Sequence, residues 1–384
     1  MNGSVVKKGN RWYIIIERRD PETGKRKREW HSGYRTKREA EAARIEILSR
    51  LQRGAYVTPS TQTLGEYLTK EWLPSIEASV RPSTLQSYQQ AVRNHLIPRL
   101  GSFRVQDLGA PHINALYAHL LTDGHSKRQG GLSPKSVRNV HVVLRKALRD
   151  AVRWSRLSVN PADSASPPRI RDAGSRDLKT WTAKELRQFL ETERELGSPS
   201  YVAFLLAATT GMRRGEVLGL RWRDCDLEAQ HLSVRQTLVS VAYKLHFSTP
   251  KTKSSQRLIT LDRQTTTALR EHRAAQAQKH LIAGSVWQDH DLVFCRDDGS
   301  PIHPDYFSHA FERHVAASNL PRIRLHDLRH THATLALTAG IHPKVVSERL
   351  GHANISITLD TYSHVIPSLQ QEVADVVADL VFGS

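Results

Sequence analysis

Cysteine is almost missing from this chain. Cys225 and Cys295 are the only two among 384 residues, which excludes a disulfide framework and a four-cysteine zinc site. No apolar run approaches the roughly 18–20 residues needed to cross a bilayer. The opening MNGSVVKKGNRWYIII lacks an apolar stretch followed by a small-residue cleavage site, so no secretion signal is read there and the chain reads as cytosolic. There is no GxxxxGK phosphate loop, no GxSxG elbow and no HExxH helix, which removes the common ATP-binding, serine-hydrolase and zinc-protease signatures. Internal repeats and low-complexity segments are absent too. What remains, 39% hydrophobic and 24% charged, is the composition of a globular protein with two or three cores.

Acidic residues are also short in supply. Lys and Arg total 56 against 38 Asp and Glu, a net charge of +18. The sequence pI is near 10.1. A field of that sign points to a polyanionic partner, of which nucleic acid is the commonest. The excess is uneven: residues 1–61 and 62–170 each carry a net +8, and residues 171–384 only +2. That distribution looks like a DNA-gripping front attached to a domain with a different task.

Residues 1–58 combine the aromatic and β-branched run Arg11–Arg18, a DPETGK turn at 20–25, and a return over Arg26–Ser32. Thr36 and Glu39 form a capping box for a helix ending near Arg53. Lys7, Lys8, Arg11, Arg18, Arg26 and Arg28, interleaved with Trp12, Tyr13 and Trp30, suit a sheet face that tracks phosphates. After a TPSTQT linker, residues 62–165 read as helices at about 64–76, 83–96, 111–121 and 133–154. The last places Val137, Val140, Leu144, Ala147, Leu148 and Ala151 on one face and Arg138, Lys146, Arg149 and Arg153 on another. A Pro/Ser/Gly-rich linker leads into 176–384, which is mainly helical with short β runs at His231–Val241 and Arg257–Leu261.

Four short motifs then follow in one order: Thr210-Gly211-Met212-Arg213-Arg214-Gly215-Glu216; Pro250-Lys251-Thr252-Lys253; His326-Asp327-Leu328-Arg329-His330; and Leu350-Gly351-His352, with Tyr362 ten residues beyond His352. One alone is weak. The ordered set resembles the tyrosine recombinase (phage integrase) family, over roughly 200 residues of the C-terminal half. Residues 62–165 are similar to that family's core-site-binding domain, and 1–58 to the arm-binding domain of integrases from phages and integrative elements.

The resemblance implies a multidomain α+β protein: a strand–helix arm-binding domain at 1–58, an all-α core-binding domain at 62–165, and a mainly α catalytic domain with a small antiparallel sheet at 176–384. It implies integration and excision of a mobile element through a 3′-phosphotyrosine intermediate, with no ATP, metal or redox cofactor. Double-stranded DNA at core and arm sites is the expected partner of a homotetramer, with an excisionase and a DNA-bending host protein beside it and no membrane.

The chemistry accounts for the residue types. Attack on a phosphodiester builds charge on nonbridging oxygens, which two permanently charged guanidiniums, Arg213 and Arg329, clamp bidentately. Tyr362 supplies a phenol whose phosphate ester lasts through strand exchange. Lys251, with Lys253 in the same turn as the fallback, is the expected acid for the leaving 5′ oxygen. His326 is a base or phosphate donor, His352 a second donor, and Glu216 the support for Arg213. His326, His330 and His332 also invite a metal reading, but no carboxylate or thiolate stands at useful spacing. A type IB topoisomerase shares the chemistry without the arm module, and a chromosome-dimer resolvase would lack 1–58. A non-catalytic DNA-binding regulator explains the charge but not the motif set. The apolar positions Leu369, Val373, Val376, Val377, Leu380 and Val381 predict a final amphipathic helix, docking on its own or a neighbouring subunit.

Overall fold

The computed structural model describes residues 2–19, 26–52, 56–125, 129–170, 178–250, 256–362 and 370–383. The chain divides into two compact units, Met1–Arg171 and Asp172–Ser384.

The first unit opens with an antiparallel sheet of β1 (Asn2–Lys8), β2 (Arg11–Arg19) and β3 (Arg26–Tyr34), in that order. Alternation along β2 buries Ile14 and Ile16 on one face, against Ala40, Ile47 and Leu48 of α1 (Lys37–Gln52). The expected capping box is present: Thr36 Oγ1 accepts from the Glu39 amide at 3.2 Å, and Glu39 Oε2 accepts from the Thr36 amide at 3.4 Å, with the Arg35 amide donating to the same oxygen at 3.0 Å. β1 carries no strong strand pattern of its own, and it is held by its register, Asn2 opposite Glu17 through Lys8 opposite Arg11.

A separate apolar cluster organises the helical part of this unit. Residues 64–79 and 82–100 are helical, and each contains a widened π turn, at Tyr67–Trp72 and Val92–Leu96. Both turns run up to a proline, Pro74 and Pro98, whose missing N–H breaks the regular ladder. Then come α2 (Ala110–Asp123) and α3 (Pro134–Arg153), the latter capped by Ser133. The predicted face of α3 is buried. Asp150, on the same helix and 4% exposed, accepts from Trp72 Nε1 at 2.9 Å.

In the second unit, α4 (Ala183–Glu195) starts at a Thr182–Glu185 capping box, and α5 (Tyr201–Thr210) is buried on nearly every side. They pack with α8 (Pro304–Ala317) through an aromatic cluster, in which Phe204 lies 5.2 Å from Phe307 and 5.3 Å from Phe311 between ring centroids. Between them run α6 (Arg214–Leu218), the strands, and α7 (Arg263–Ala283).

The β region departs from the sequence reading. The run His231–Val241 is two strands, not one. β4 (Cys225–Asp226), β5 (His231–Val234) and β8 (Arg257–Thr260) form one sheet, while β6 (Thr237–Val241) and β7 (Lys244–Ser248) form a separate hairpin. The hairpin turns at Ala242 and Tyr243, with φ of 49° and 64°. Those are type I′ dihedrals carried without the Asn-Gly pair that usually announces them.

The chain closes with α9 (Asp327–Thr338), α10 (Pro343–Leu350), α11 (Ile355–Tyr362) and α12 (Gln370–Phe382). Leu380 and Phe382 of α12 are exposed. Leu369, and the side chains of Val373 and Val376, fall outside the described residues. Among the described residues no helix is long and apolar enough to cross a membrane.

Candidate active site

A helix ends with carbonyls that have no partner within it, and these attract cations. At the end of α10 three consecutive carbonyls each take an arginine. Arg349 O accepts from Arg257 Nε at 2.6 Å, Leu350 O from Arg329 Nη2 at 2.8 Å, and Gly351 O from Arg213 Nη2 at 3.3 Å. The two motif arginines thus come together from positions 116 residues apart in sequence, on one turn of backbone.

Two glycines make this turn possible. Gly211 ends α5 at φ 65°, and a Cβ there would lie 2.6 Å from Leu350 Cδ2 and 2.9 Å from His332 Cδ2. Its carbonyl accepts from Arg329 Nη1 at 2.6 Å. Gly351 ends α10 at φ 69°, which presents its own carbonyl to Arg213.

Arg213 is the N-cap of α6. Its amide donates to Glu216 Oε2 at 3.0 Å and its Nη1 to Glu216 Oε1 at 2.8 Å. Glu216 is 4% exposed and also pairs with Arg257 Nη2 at 2.9 Å. Burial alone would raise the pKa of this carboxyl, but the Arg257 and Arg213 bonds outweigh it and hold it below the usual range. The supporting role expected for Glu216 extends to a second cation that sequence reading did not single out. Arg257 sits at the start of β8, 41 residues from Glu216, and only the sheet register connects them.

Arg329 is 4% exposed. Burial first, then the Arg213 charge, lower its pKa, with Glu216 and Tyr362 opposing. Its carbonyl partners accept only from N–H groups, which favours the charged fork. The base of α9 is fixed by Asp327, which accepts from the Arg324 amide at 2.8 Å and Arg324 Nη2 at 2.9 Å.

Tyr362, the last residue of α11, is 1% exposed and packs with Ala333, Leu337, Val346 and Leu350. Burial pushes its phenol up to about 12, with Arg329 working the other way. The hydroxyl lies 2.8 Å from His330 Nδ1. This neighbour was legible only as the second histidine of its motif.

His326, one turn before, keeps an exposed edge and meets His330 edge-on at 5.1 Å between ring centroids. Desolvation, His330 and Arg329 lower its pKa. His352 Nδ1 lies 2.7 Å from Thr358 Oγ1, and burial followed by Arg329 and Arg213 brings its pKa to about 4. Both rings are therefore neutral at pH 7, each with one N–H to donate. His332 is tied at both ring nitrogens: Nδ1 lies 3.1 Å from Ala208 O, so that nitrogen carries the proton and Nε2 accepts from Arg349 Nε at 3.3 Å.

Lys251 and Lys253 lie outside the described residues, as do the side chains of Arg18 and Arg26. On the N-terminal sheet, Lys8 pairs with Arg11 on the face away from α1, where Tyr13 and Trp30 meet at 6.2 Å and Arg28 bonds Glu17 at 2.6 Å. Lys7 falls on the opposite face beside Trp12, because adjacent strand residues alternate. On α3, Arg138 and Arg149 are exposed. Lys146 and Arg153 are instead bound to Asp150, at 3.4 Å and 3.1 Å.

Residues 179–368 match the profile of the phage integrase family, residues 4–51 an arm DNA-binding domain, and residues 63–121 the N-terminal SAM-like domain of phage integrases. A tyrosine recombinase XerC-like protein of Caldanaerobacter subterraneus is 29% identical over 394 residues, covering 98% of each chain. The ICEBs1 integrase of Bacillus subtilis is 28% identical over 311 residues, 81% of each. Among solved structures, the Tn1549 transposon integrase in complex with a circular intermediate DNA superposes with a TM-score of 0.66 at 22% identity, over 82% of this chain and 99% of that one. A lambda integrase dimer bound to a COC′ core site gives 0.55 at 18% identity, over 93% of each. At these identities the two structures speak for the fold.

Proposed function

The chain belongs to the phage integrase family of tyrosine recombinases and is a site-specific DNA recombinase that breaks and rejoins strands; within that activity, we propose that Tyr362 is the nucleophile and that Arg213 and Arg329 clamp the scissile phosphate. The observation that carries this reading is the shared turn, where both guanidiniums are anchored on Leu350 O and Gly351 O, in the unit that buries Tyr362. Each guanidinium keeps N–H groups beyond these bonds for the nonbridging oxygens, and the charge that develops there meets preorganised donors. His326 and His352, neutral, donate further hydrogen bonds to the phosphate. Lys251 protonates the leaving 5′ oxygen, and Lys253 is the alternative from the same segment. Glu216 acts by holding Arg213.

Residues 1–58 serve as the arm-site module, 62–165 as the core-site module, and 176–384 as the catalytic module. Lys7, Lys8, Arg11, Arg18, Arg26 and Arg28 contact arm DNA, and Arg138, Lys146, Arg149 and Arg153 core DNA. The lambda relative is recorded as a dimer on a core site and as a tetramer on a Holliday junction. That supports a working tetramer here, aided by an excisionase and a DNA-bending host protein in a bacterial cytoplasm. The exposed Leu380 and Phe382 of α12 fit docking on a neighbouring protomer.

The test uses DNA from the element's flanks, nicked near the crossover so that cleavage cannot reverse. The native chain yields a denaturation-resistant adduct whose peptide mass maps to Tyr362, and Tyr362→Phe yields none while still binding the DNA. An adduct of equal yield with the Phe variant moves the nucleophile elsewhere and ends this assignment.

A further inference from the structure

His330 has no part in the assignments above, yet it is the residue the tyrosine touches. Among the described residues its Nδ1 is the atom hydrogen-bonded to the Tyr362 hydroxyl, at 2.8 Å. The phenol is 1% exposed and enclosed by Ala333, Leu337, Val346 and Leu350, so its proton has no direct way to water. His330 also lines an open cleft of about 760 Å³ with Lys179, Glu312, Arg322, Arg324 and Asp327. One ring joins a buried hydroxyl to an open cleft lined by charged side chains.

We propose that His330 is the proton acceptor of the cleavage step: as the neutral imidazole carrying its proton on Nε2, it takes the phenol proton of Tyr362 at Nδ1 during attack. The inference rests on the reading of Tyr362 as nucleophile. The Oη–H bond breaks as the Oη–P bond forms, and the proton moves to Nδ1. The electron pair of the breaking P–O5′ bond leaves with the 5′ oxygen, which takes the proton supplied by the acid assigned to Lys251. Rejoining reverses this, and the imidazolium returns its proton to the departing phenolate.

The surroundings fit. The groups facing the ring are His326, Asp327 and Arg329 of its own helix, Tyr362 of α11, His352 beyond α10, Glu312 of α8, and Lys179, Arg322 and Arg324 along the cleft. Burial lowers the pKa of His330, Asp327 opposes, and Arg329 and Arg324 add to the lowering, which leaves a base at neutral pH. Burial pushes the phenol up to about 12, so it does not ionise unaided.

The experiment measures single-turnover cleavage of the nicked DNA from about pH 5 to pH 8, the range in which an imidazole changes charge. His330→Asn places a carbonyl near the Nδ1 position, which holds the hydroxyl but takes no proton. Expected is a loss of about 10²-fold or more in cleavage rate, together with disappearance of the native fall in rate on the acid side. A His330→Asn profile parallel to the native one overturns the proposal, whatever its height.

A second measurement separates chemistry from shape. DNA ending in a 3′-p-nitrophenyl phosphate releases its phenolate without needing a proton, so Tyr362→Phe and Tyr362→Phe/His330→Asn should rejoin it at equal rates. If the double variant is slowed as much as cleavage was, His330 only shapes the site and the proposal falls. Failure of the nucleophile reading shows separately, as an adduct formed by Tyr362→Phe.

Discussion

Arg257 Nη2 on β8 donates to Glu216 Oε2 on α6 at 2.9 Å, with the two side chains 6% and 4% exposed. Because Glu216 also takes Arg213, one buried carboxylate balances two guanidiniums. Removing it strands buried positive charge, which typically costs about 3–5 kcal/mol. Glu216→Ala should lose that much stability in denaturant unfolding. Arg257→Met should lose less, since Glu216 keeps Arg213. Equal losses would show that the carboxylate serves Arg257 alone.

Arg329 uses two arms of its fork on Gly211 O and Leu350 O, from a buried position. A lysine has a single ammonium and cannot hold both carbonyls and a phosphate oxygen in one geometry. Arg329→Lys should slow adduct formation by about 10²–10³-fold, the range for a lost transition-state donor. Binding of uncleaved DNA, followed by gel shift, should be nearly unchanged because the charge is kept. A comparable loss in both assays would place Arg329 in binding instead of catalysis.

The sequence made Arg213, Glu216, Arg329 and Tyr362 legible because each sits in a local motif whose spacing has a backbone cause. Gly211 and Gly351 are there for their left-handed φ, and Glu216 stands where a capping box needs it. The helices of the first unit were equally open to reading, since Val137 through Ala151 keep one apolar face. Arg257 and His330 were not legible in these roles. Arg257 reaches Glu216 only after β8 pairs with β5, and His330 reaches Tyr362 only after α9 packs on α11. The split of 231–241 was hidden because Ala242 and Tyr243 adopt positive φ without a sequence signal. Pairing between distant segments is where local patterns stop informing.

His332 predicts acid sensitivity. Burial first, and Arg349 second, push its pKa to about 4, while an unfolded imidazole titrates near 6.5. Between those values the unfolded chain binds more protons, so stability is full above about pH 6.5 and declines as pH falls toward 4. The loss from this residue reaches about 3 kcal/mol at most. His332→Gln, which does not titrate, should be less stable near neutrality yet flatter across the window. Urea unfolding at several pH values checks both points, and an unchanged slope would assign the acid sensitivity to other groups.

The proposed core-DNA contacts on α3 divide into two classes, and salt dependence separates them. Arg138 and Arg149 are exposed, whereas Lys146 and Arg153 are bound to Asp150, which itself holds Trp72 Nε1 at 2.9 Å. A cation that neutralises a phosphate releases condensed counterions and adds about 0.9 to the slope of log affinity against log salt. Arg138→Ala and Arg149→Ala should each lower the slope by nearly that amount and leave folding stability unchanged. Lys146→Ala and Arg153→Ala should lower it by less, because Asp150 already offsets part of each charge. They should also cost stability, since they weaken the network around a buried carboxylate. Equal slope changes across all four would mean that DNA draws Lys146 and Arg153 away from Asp150. Asp150→Asn should then raise affinity instead of leaving it constant.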